Sequence, residues 1–509
     1  MKYVPRTRPR KHQNEAQHRL ELRPHRPADS DIMAWLMEMG TGKSKVVLDE
    51  WGKRVYAGDT QDLLVIAPAG SYLNWCEDKS EAQPSQLRAH LAPELYDRMI
   101  SGAWKSGAGV VHKRRLEALL GVRDRPRALF VNTEALSTVK MARDLCADFL
   151  SRHSCLMAVD ESTSIKNPDA ERTKYTLQLG EAAAARRILT GLVTPRSPLD
   201  LFSQFEFLDW RVLGFRSFYA FRNRYAIMRK IRVDQREDPV TGERTGGREV
   251  NMVVGYRNLE ELQQKIAPYS YRVLKKDCLD LPPKIYAPIR DVALTNEQHR
   301  LYKEIRSNAT ALIAGEDYVT ATMVLTQMLR LHQVLCGHVV DEEGKVHDVP
   351  TNRVDQLLEV LGEHSGKAII WCSYDHSVRM IVDRLRKEFG PKSVAAFWGG
   401  NRSTRGEEEQ RWLGDPECNY LVSTQQAGGR GNTWICPLVV YFSNTDNLDD
   451  RLQSEDRAHR DGLQGRGYSV TYVDLMCRGT VDEKFVHSMR DKLDMATTIT
   501  GENYREWLI

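Results

Sequence analysis

Lys43 and Ser44 close the run Met37-Glu38-Met39-Gly40-Thr41-Gly42-Lys43-Ser44, whose residue types suit a phosphate group. Glycine lets a backbone approach an anion closely, and a helix beginning at Lys43 adds partial positive charge from its first amides. The lysine ammonium can neutralise β- and γ-phosphate oxygens, and the serine hydroxyl can ligate Mg2+. Met37 stands where the full phosphate-loop spacing has its first glycine, so on these residues alone an ordinary Gly-rich turn remains the alternative. Asp160 and Glu161 form a second chemical pair at the end of the apolar run Cys155–Val159. Acids emerging from a buried parallel strand lie where α/β sheets hold ligands. Asp160 can hold Mg2+ through water and Glu161 can position or deprotonate an attacking water, whereas the plainer reading is a surface pair capping a helix. Arg457 and Arg460 stand three apart in Gln453-Ser454-Glu455-Asp456-Arg457-Ala458-His459-Arg460, a predicted helix, and so on one face. Two guanidiniums aimed from one face can grip phosphate oxygens, and an arginine finger speeds phosphoryl transfer by roughly three to five orders of magnitude. A solvated face with Glu455 and Asp456 paired to Arg457 is the alternative.

These groups need rigid elements to hold them. Apolar strand-like runs fall at 63–67, 128–131, 155–159, 187–190, 368–372, 394–397, 420–423, 438–442 and 468–474, with helical patterns such as Ser377–Phe389 between them. Alternation of this kind predicts an α/β fold of parallel sheets flanked by helices. A chain of 509 residues exceeds one hydrophobic core, and 41% hydrophobic residues suffice for two. Between the two clusters, Leu199–His338 is richer in helix. Phe215–Tyr225 reads as helix core rather than a base-stacking platform, and Asp234–Glu249 reads as an exposed loop or hairpin tip. Ala321–His338 is predicted as a buried helix with structural His332 and His338, and Glu181–Arg187, with its four alanines, as helix.

Taken together, these segments resemble the superfamily-two helicase-like ATPases, specifically the SWI/SNF-related group of double-stranded DNA translocases, from about His12 to about Asp482. Lys11-His12-Gln13 is similar to the group's glutamine motif, which implies that Gln13 reads adenine. Leu64–Trp75 resembles its strand, turn and Asn-Trp helix. Ser164-Ile165-Lys166-Asn167 follows the acids as in that group, and Lys275-Lys276-Asp277 through Leu281-Pro282-Pro283-Lys284 resembles its basic bridge. Lys367–Tyr374 and Val422–Gly431 resemble motifs of the second lobe, and Gln464 fits the ending of the arginine motif. One departure is Leu192-Val193, inserted where the family joins Thr-Gly directly to Thr-Pro, in a segment that communicates between the nucleotide and DNA sites.

The resemblance implies two tandem RecA-like lobes with helical insertions. The expected division is 1–276, with an insertion at about 199–270, and 277–509, with one at about 293–340. It implies ATP and Mg2+ as cofactors, with nucleotide contacts at Gln13, Met39, Gly40, Thr41, Gly42, Lys43, Ser44, Gly429 and Gln453, and metal at Ser44 and Asp160. Lys43, Asp160, Glu161, Arg457 and Arg460 are the implied catalytic set. DNA contacts are implied at Pro68, Ala69, Trp75, Thr133, Lys166, Ser373 and Thr424.

Net charge is only +4, but its distribution is uneven. Met1–Lys11 carries basic residues and no acid, and Arg222–Arg248 holds eight Lys and Arg with fewer acids. Basic residues without a base-reading motif imply nucleic acid held by its phosphates, without sequence choice, and the resemblance implies that this partner is double-stranded DNA. The nine cysteines lack a C-x-x-C pair, so reduced thiols and no structural metal are expected, with Cys278 and Cys372 as core residues. No apolar run approaches about twenty residues, and the basic N-terminus has no apolar continuation, so the expectation is an intracellular, cytoplasmic protein without a membrane span. The compact form is similar to stand-alone members found in bacterial and phage genomes. The function expected is an ATP-dependent translocase or remodelling ATPase on duplex DNA. The alternatives are a strand-separating DNA or RNA helicase and a DNA-binding scaffold with an inactive ATPase.

Overall fold

The structure, a computed structural model, describes residues 3–22, 30–79, 81, 83–237, 244–315, 321–341, 343–428 and 433–500. The chain divides into two compact units, the first built mainly from Met1–Tyr225 and Arg257–Asp280, the second from Ala226–Tyr256 and Leu281–Leu493.

The first unit opens with helix α1 (Lys11–Glu21), strand β1 (Asp31–Met37) and helix α2 (Lys43–Ala57). Strands β2 (Asp62–Ala67), β3 (Ile100–Ala103), β4 (Arg127–Asn132), β5 (Cys155–Asp160) and β6 (Ala185–Leu189) follow. A long antiparallel hairpin of β7 (Ala226–Glu237) and β8 (Arg244–Tyr256), which belongs to the second unit, precedes the first unit's β9 (Ser270–Val273) in the chain. The first sheet runs in the order β3-β4-β2-β5-β6-β1-β9, and every pair in it is parallel. Its inner strands are buried on both faces, while the edge strands β3 and β9 are only partly buried. An all-parallel sheet puts every strand's carboxyl end on one edge, so the turns after β1, β2, β4, β5 and β6 share that edge.

The second unit carries β10 (Ile285–Tyr286), β11 (Arg290–Asp291), the small hairpin β12 (His338–Val340) and β13 (Val346–Asp348), and β14 (Ala368–Cys372). It continues with β15 (Val394–Phe397), β16 (Tyr420–Thr424), β17 (Leu438–Tyr441) and β18 (Thr471–Met476). Its main sheet, β10-β18-β17-β14-β16-β15, is again parallel throughout. The α/β class read from the sequence therefore holds in both units.

Three local expectations are corrected. Glu181–Arg187 is not helix: the helix Glu171–Glu181 stops at its first residue, and β6 begins at Ala185. Alanine favours helix by only a few tenths of a kcal/mol per residue, whereas Arg187 on β6 is buried with Nε 3.0 Å from Glu50 Oε2 and NH2 2.7 Å from Asp31 Oδ1. Its two carboxylate partners lie on α2 and β1, so the strand is fixed by tertiary pairing. For Asp234–Glu249 the hairpin reading holds and only the loop reading is corrected: the arms of the β7–β8 hairpin run through all of it except 238–243, which lie outside the described residues. The helix from Ala321 ends at Leu335, and Gly337, with φ 87°, turns the chain so that His338 opens β12.

Other expectations stand. Phe221 and Tyr225 are core residues of the helix Phe218–Tyr225, packed against Phe202 and Phe215. His332 is buried with Nδ1 2.8 Å from the Tyr374 hydroxyl, and burial pushes its pKa down to about 4. Cys372 is a core residue, while Cys278 is only half-buried. No described helix is long and apolar enough to cross a membrane.

Candidate nucleotide site

The phosphate loop leaves β1 at Met37 and enters α2 at Lys43. Gly40 and Gly42 both have left-handed backbone, φ 85° and 87°, which L side chains rarely adopt. A Cβ on Gly42 would also lie 2.3 Å from Gln13 Nε2 and would push that side chain off the loop. Thr41 closes the turn, its hydroxyl donating to Glu38 O at 2.7 Å. Helix α1 supports the loop from outside: His12 Nε2 donates to Thr41 O at 2.8 Å and Gln13 Nε2 donates to the same carbonyl at 3.3 Å. Gln13 Oε1 accepts from the Arg10 amide at 2.9 Å, so this side chain ties α1 to the loop.

Lys43 is buried, its ammonium donating to Met37 O at 3.1 Å and standing 4.0 Å from Glu161 Oε1. Asp160 ends β5, with Oδ2 accepting from Trp75 Nε1 at 3.1 Å and Oδ1 accepting from the Glu161 amide at 3.0 Å. Burial first, then the charge of Glu161, raises the Asp160 pKa to about 6, against the opposing pull of Lys43 and Trp75. Glu161 sits in left-handed backbone, φ 47° and ψ 60°, unusual for a non-glycine and the kind of strain that clusters at active sites. The donor set fits a nucleotide with a divalent cation: a glycine cradle, one ammonium, one hydroxyl at Ser44, and two adjacent carboxylates whose mutual repulsion a cation would relieve.

The Thr190–Pro195 segment packs on this loop. A Cβ on Gly191 would meet Met39 N at 3.4 Å, and Arg272 NH1 donates to Gly191 O at 2.6 Å and Leu36 O at 3.1 Å. Leu192 and Val193, the two inserted residues, are buried, and Gln204 links Val193 O at 2.7 Å to the Ser162 hydroxyl at 2.6 Å. The insertion is thus absorbed into the core beside the acids.

Several side chains stand nearer the acids and the glycine loop than the sequence reading placed them. Trp75 is buried with its N–H on Asp160. Lys275 is buried against the phosphate loop: its amide donates to Glu38 Oε2 at 2.7 Å, and its Cε would lie 3.5 Å from a Cβ on Gly40. His12 and Gln204 complete the list, and no spacing in the sequence connects them to the loop.

Among the other predicted contacts of the first unit, Pro68 and Ala69 follow β2, with the Ala69 amide donating to Glu134 Oε2 at 3.1 Å. Thr133 begins a helix after β4 and Lys166 follows the Ser162–Ile165 turn. In the second unit, Ser373 follows β14, with its amide on Ser443 Oγ at 2.8 Å, and Thr424 ends β16. Gly429 lies outside the described residues.

The arginine motif is corrected in one respect. The helix Leu448–Ala458 stops before Arg460, and His459 has φ −96° and ψ 81°, so the two arginines do not share a helix face. Arg457 is buried in the last turn, its carbonyl accepting from the Trp434 amide at 2.9 Å. Arg460 lies beyond the helix, with Nε donating to Asp456 O at 2.9 Å and NH1 to Thr433 Oγ1 at 3.0 Å. Gln453 is buried on the same helix, donating to Asp449 Oδ1 at 2.9 Å.

Lys43→Ala removes the ammonium that stands between the glycine loop and Glu161. The expected result is a fall in ATP affinity of about 10- to 100-fold, with loss of turnover, read by titration with a fluorescent ATP analogue.

Known proteins share similarity with this chain. The TATA-binding protein-associated factor mot1 of Schizosaccharomyces pombe is 25% identical over 400 residues, covering 68% of this chain and 20% of that protein. TATA-binding protein-associated factor 172 of Homo sapiens is 25% identical over 401 residues, with the same coverage of 68% and 20%. The SWI/SNF chromatin-remodeling complex subunit snf22 of S. pombe is 22% identical over 462 residues, covering 85% of this chain and 24% of that protein. The chain thus spans about a fifth to a quarter of the length of these relatives. Among solved structures, the Sulfolobus solfataricus SWI2/SNF2 ATPase core in complex with dsDNA aligns with a TM-score of 0.41 at 20% identity, covering 100% of this chain and 97% of that one. The family model for the SNF2-related domain matches residues 15–339, more than half of the chain, and with its phosphate loop, acid pair and intervening sheet inside that span the chain belongs to the SNF2-related domain family.

Proposed function

We propose that this protein is an ATP-dependent motor of the SNF2-related type, hydrolysing ATP to move along duplex DNA without reading its sequence. The observation that carries the reading is the Lys43 ammonium 4.0 Å from Glu161 Oε1, on a cradle of left-handed glycines beside Asp160. In this reading Gly40, Thr41, Gly42 and Lys43 bind the phosphates of ATP, Gln13 and Met39 border the nucleotide, and Glu161 takes a proton from the attacking water. Ser44 and Asp160 would hold Mg2+, which supplies neutralisation of phosphate charge when bound. Gly429 and Gln453 complete the nucleotide contacts, and Arg457 and Arg460 stabilise charge on the transferring phosphoryl group. The chain's functional division is 1–276 and 277–509, the first lobe binding nucleotide.

DNA is held through turns at the carboxyl edges of the two sheets, at Pro68, Ala69, Thr133, Lys166, Ser373 and Thr424, with Trp75 beneath the first of them. Such turns reach backbone phosphates and present no recognition helix to a groove. Duplex DNA is therefore expected to raise ATP turnover more than single strands or RNA, with no dependence on sequence. If about five phosphates are contacted, DNA affinity falls roughly 500-fold between 50 and 200 mM salt. Phosphate release measured with each nucleic acid across a salt series tests this, together with displacement of a triplex strand from blunt duplexes. RNA as the best activator would reject duplex tracking. Robust unwinding of forks without triplex displacement would support the strand-separating helicase instead.

A further inference from the structure

The bridge residues Pro282 and Lys284 lie in the second unit and grip the end of the arginine helix. Lys284 Nζ is 2.9 Å from Glu455 Oε2 and 3.6 Å from Asp456 Oδ1. The fully buried Glu455 also accepts from the Tyr286 hydroxyl and from Arg451 Nε, each at 2.8 Å. Burial alone would pull the Lys284 pKa down, but Tyr286, Glu455 and Asp456 outweigh it and hold the ammonium charged. Two residues earlier, Pro282 O accepts from His459 Nε2 at 2.8 Å.

These grips fall at 455, 456 and 459, on either side of Arg457 and immediately before Arg460. Arg460 in turn donates to the carbonyl of Asp456, so the place of that last turn decides the place of its guanidinium. Helix ends fray unless held by contacts from outside, and this one is followed by a non-helical His459. The bridge strand is itself fixed, because β10 pairs with β18 through Ile285 N to Val470 O at 2.9 Å.

We propose that Lys284 and Glu455 form a positioning pair that sets the register of the Arg457–Arg460 segment, and that the bridge thereby governs how the arginines meet the phosphates of ATP. This rests on the motor reading above. Lys284 touches no reacting atom and is a positioning residue.

The full chain is tested as Lys284→Met, Lys284→Arg, Arg460→Ala and the double variant Lys284→Met/Arg460→Ala. Methionine keeps the side-chain volume, and Glu455 retains Arg451 and Tyr286 in that variant, so folding is preserved. Lys284→Met is expected to lower kcat about tenfold or more, with KM for ATP within about twofold, while Lys284→Arg restores most of the loss. In the double variant the rate should be no lower than in Arg460→Ala, since both changes act through one group. Amide hydrogen exchange should quicken over Leu448–Gln464 and stay unchanged over the phosphate loop. Wild-type kcat in Lys284→Met, equal loss in Lys284→Arg, or losses that multiply in the double variant would overturn the proposal. If the wild-type chain hydrolysed no ATP with any nucleic acid, the motor reading would fail. The exchange arm would still decide the pair: quickened exchange supports it and unchanged exchange overturns it.

Discussion

Glu161→Gln is expected to hold ATP and fail to hydrolyse it. Glutamine has the shape of glutamate, so the left-handed turn after β5 and the packing around Lys43 are retained. What disappears is the basic oxygen, and removal of a positioned general base slows turnover by roughly 10²- to 10⁴-fold. Affinity should not fall, because a negative charge beside the phosphates has been removed. The same change relieves Asp160, whose pKa is held up in part by Glu161, and leaves it more readily ionised at neutral pH. Phosphate release and nucleotide binding measured on one preparation separate the two effects. Near-normal turnover would remove Glu161 from the mechanism.

Arg460→Ala should be nearly as damaging, by a different route. The guanidinium lies outside the helix, with Nε on Asp456 O and NH1 on Thr433 Oγ1. If it acts on the transferring phosphoryl group, its loss costs roughly 10³-fold or more in kcat while ATP affinity changes little. Arg457 gives a less informative variant, since it is buried in the last helical turn and its removal would disturb packing as well as charge. Single-turnover rates with saturating ATP provide the measurement. A variant that bound ATP poorly but turned over what it bound at the normal rate would refute the finger role.

The parts legible in the sequence were those whose chemistry is local. Lys43 follows its glycines directly, and Asp160 and Glu161 adjoin the strand that presents them, so their neighbours in the sequence are also their neighbours in the fold. Strands of continuous apolar residues announced the α/β class. Even there β1 was missed, because Ile32–Met37 runs straight into the loop motif and a buried strand without alternation has no period to recognise. Contacts across long stretches of chain were invisible. Trp75 reaches Asp160 over 85 positions, and the Lys275 amide reaches Glu38 over 237. Propensity misled where burial overrode it, as in Ala185–Arg187. The i, i+3 argument for Arg457 and Arg460 failed because it assumed the helix continued, whereas backbone at His459 ends it.

The placement of β1 bears on how the protein comes off the ribosome. Its two neighbours in the sheet are β6 and β9, so Ala34–Met37 finds its second partner only when Ser270–Val273 exists. At about 5 to 20 residues per second, synthesis of the intervening chain takes roughly 10 to 50 seconds. Throughout that interval Trp35, Leu36 and Met37, all buried in the finished protein, lack this neighbour. A continuous apolar strand awaiting its neighbours can pair with other chains. The strand that leads into the glycine loop is thus among the earliest made and gains its second neighbour late, so its exposure coincides with the growth of the chain between β6 and β9.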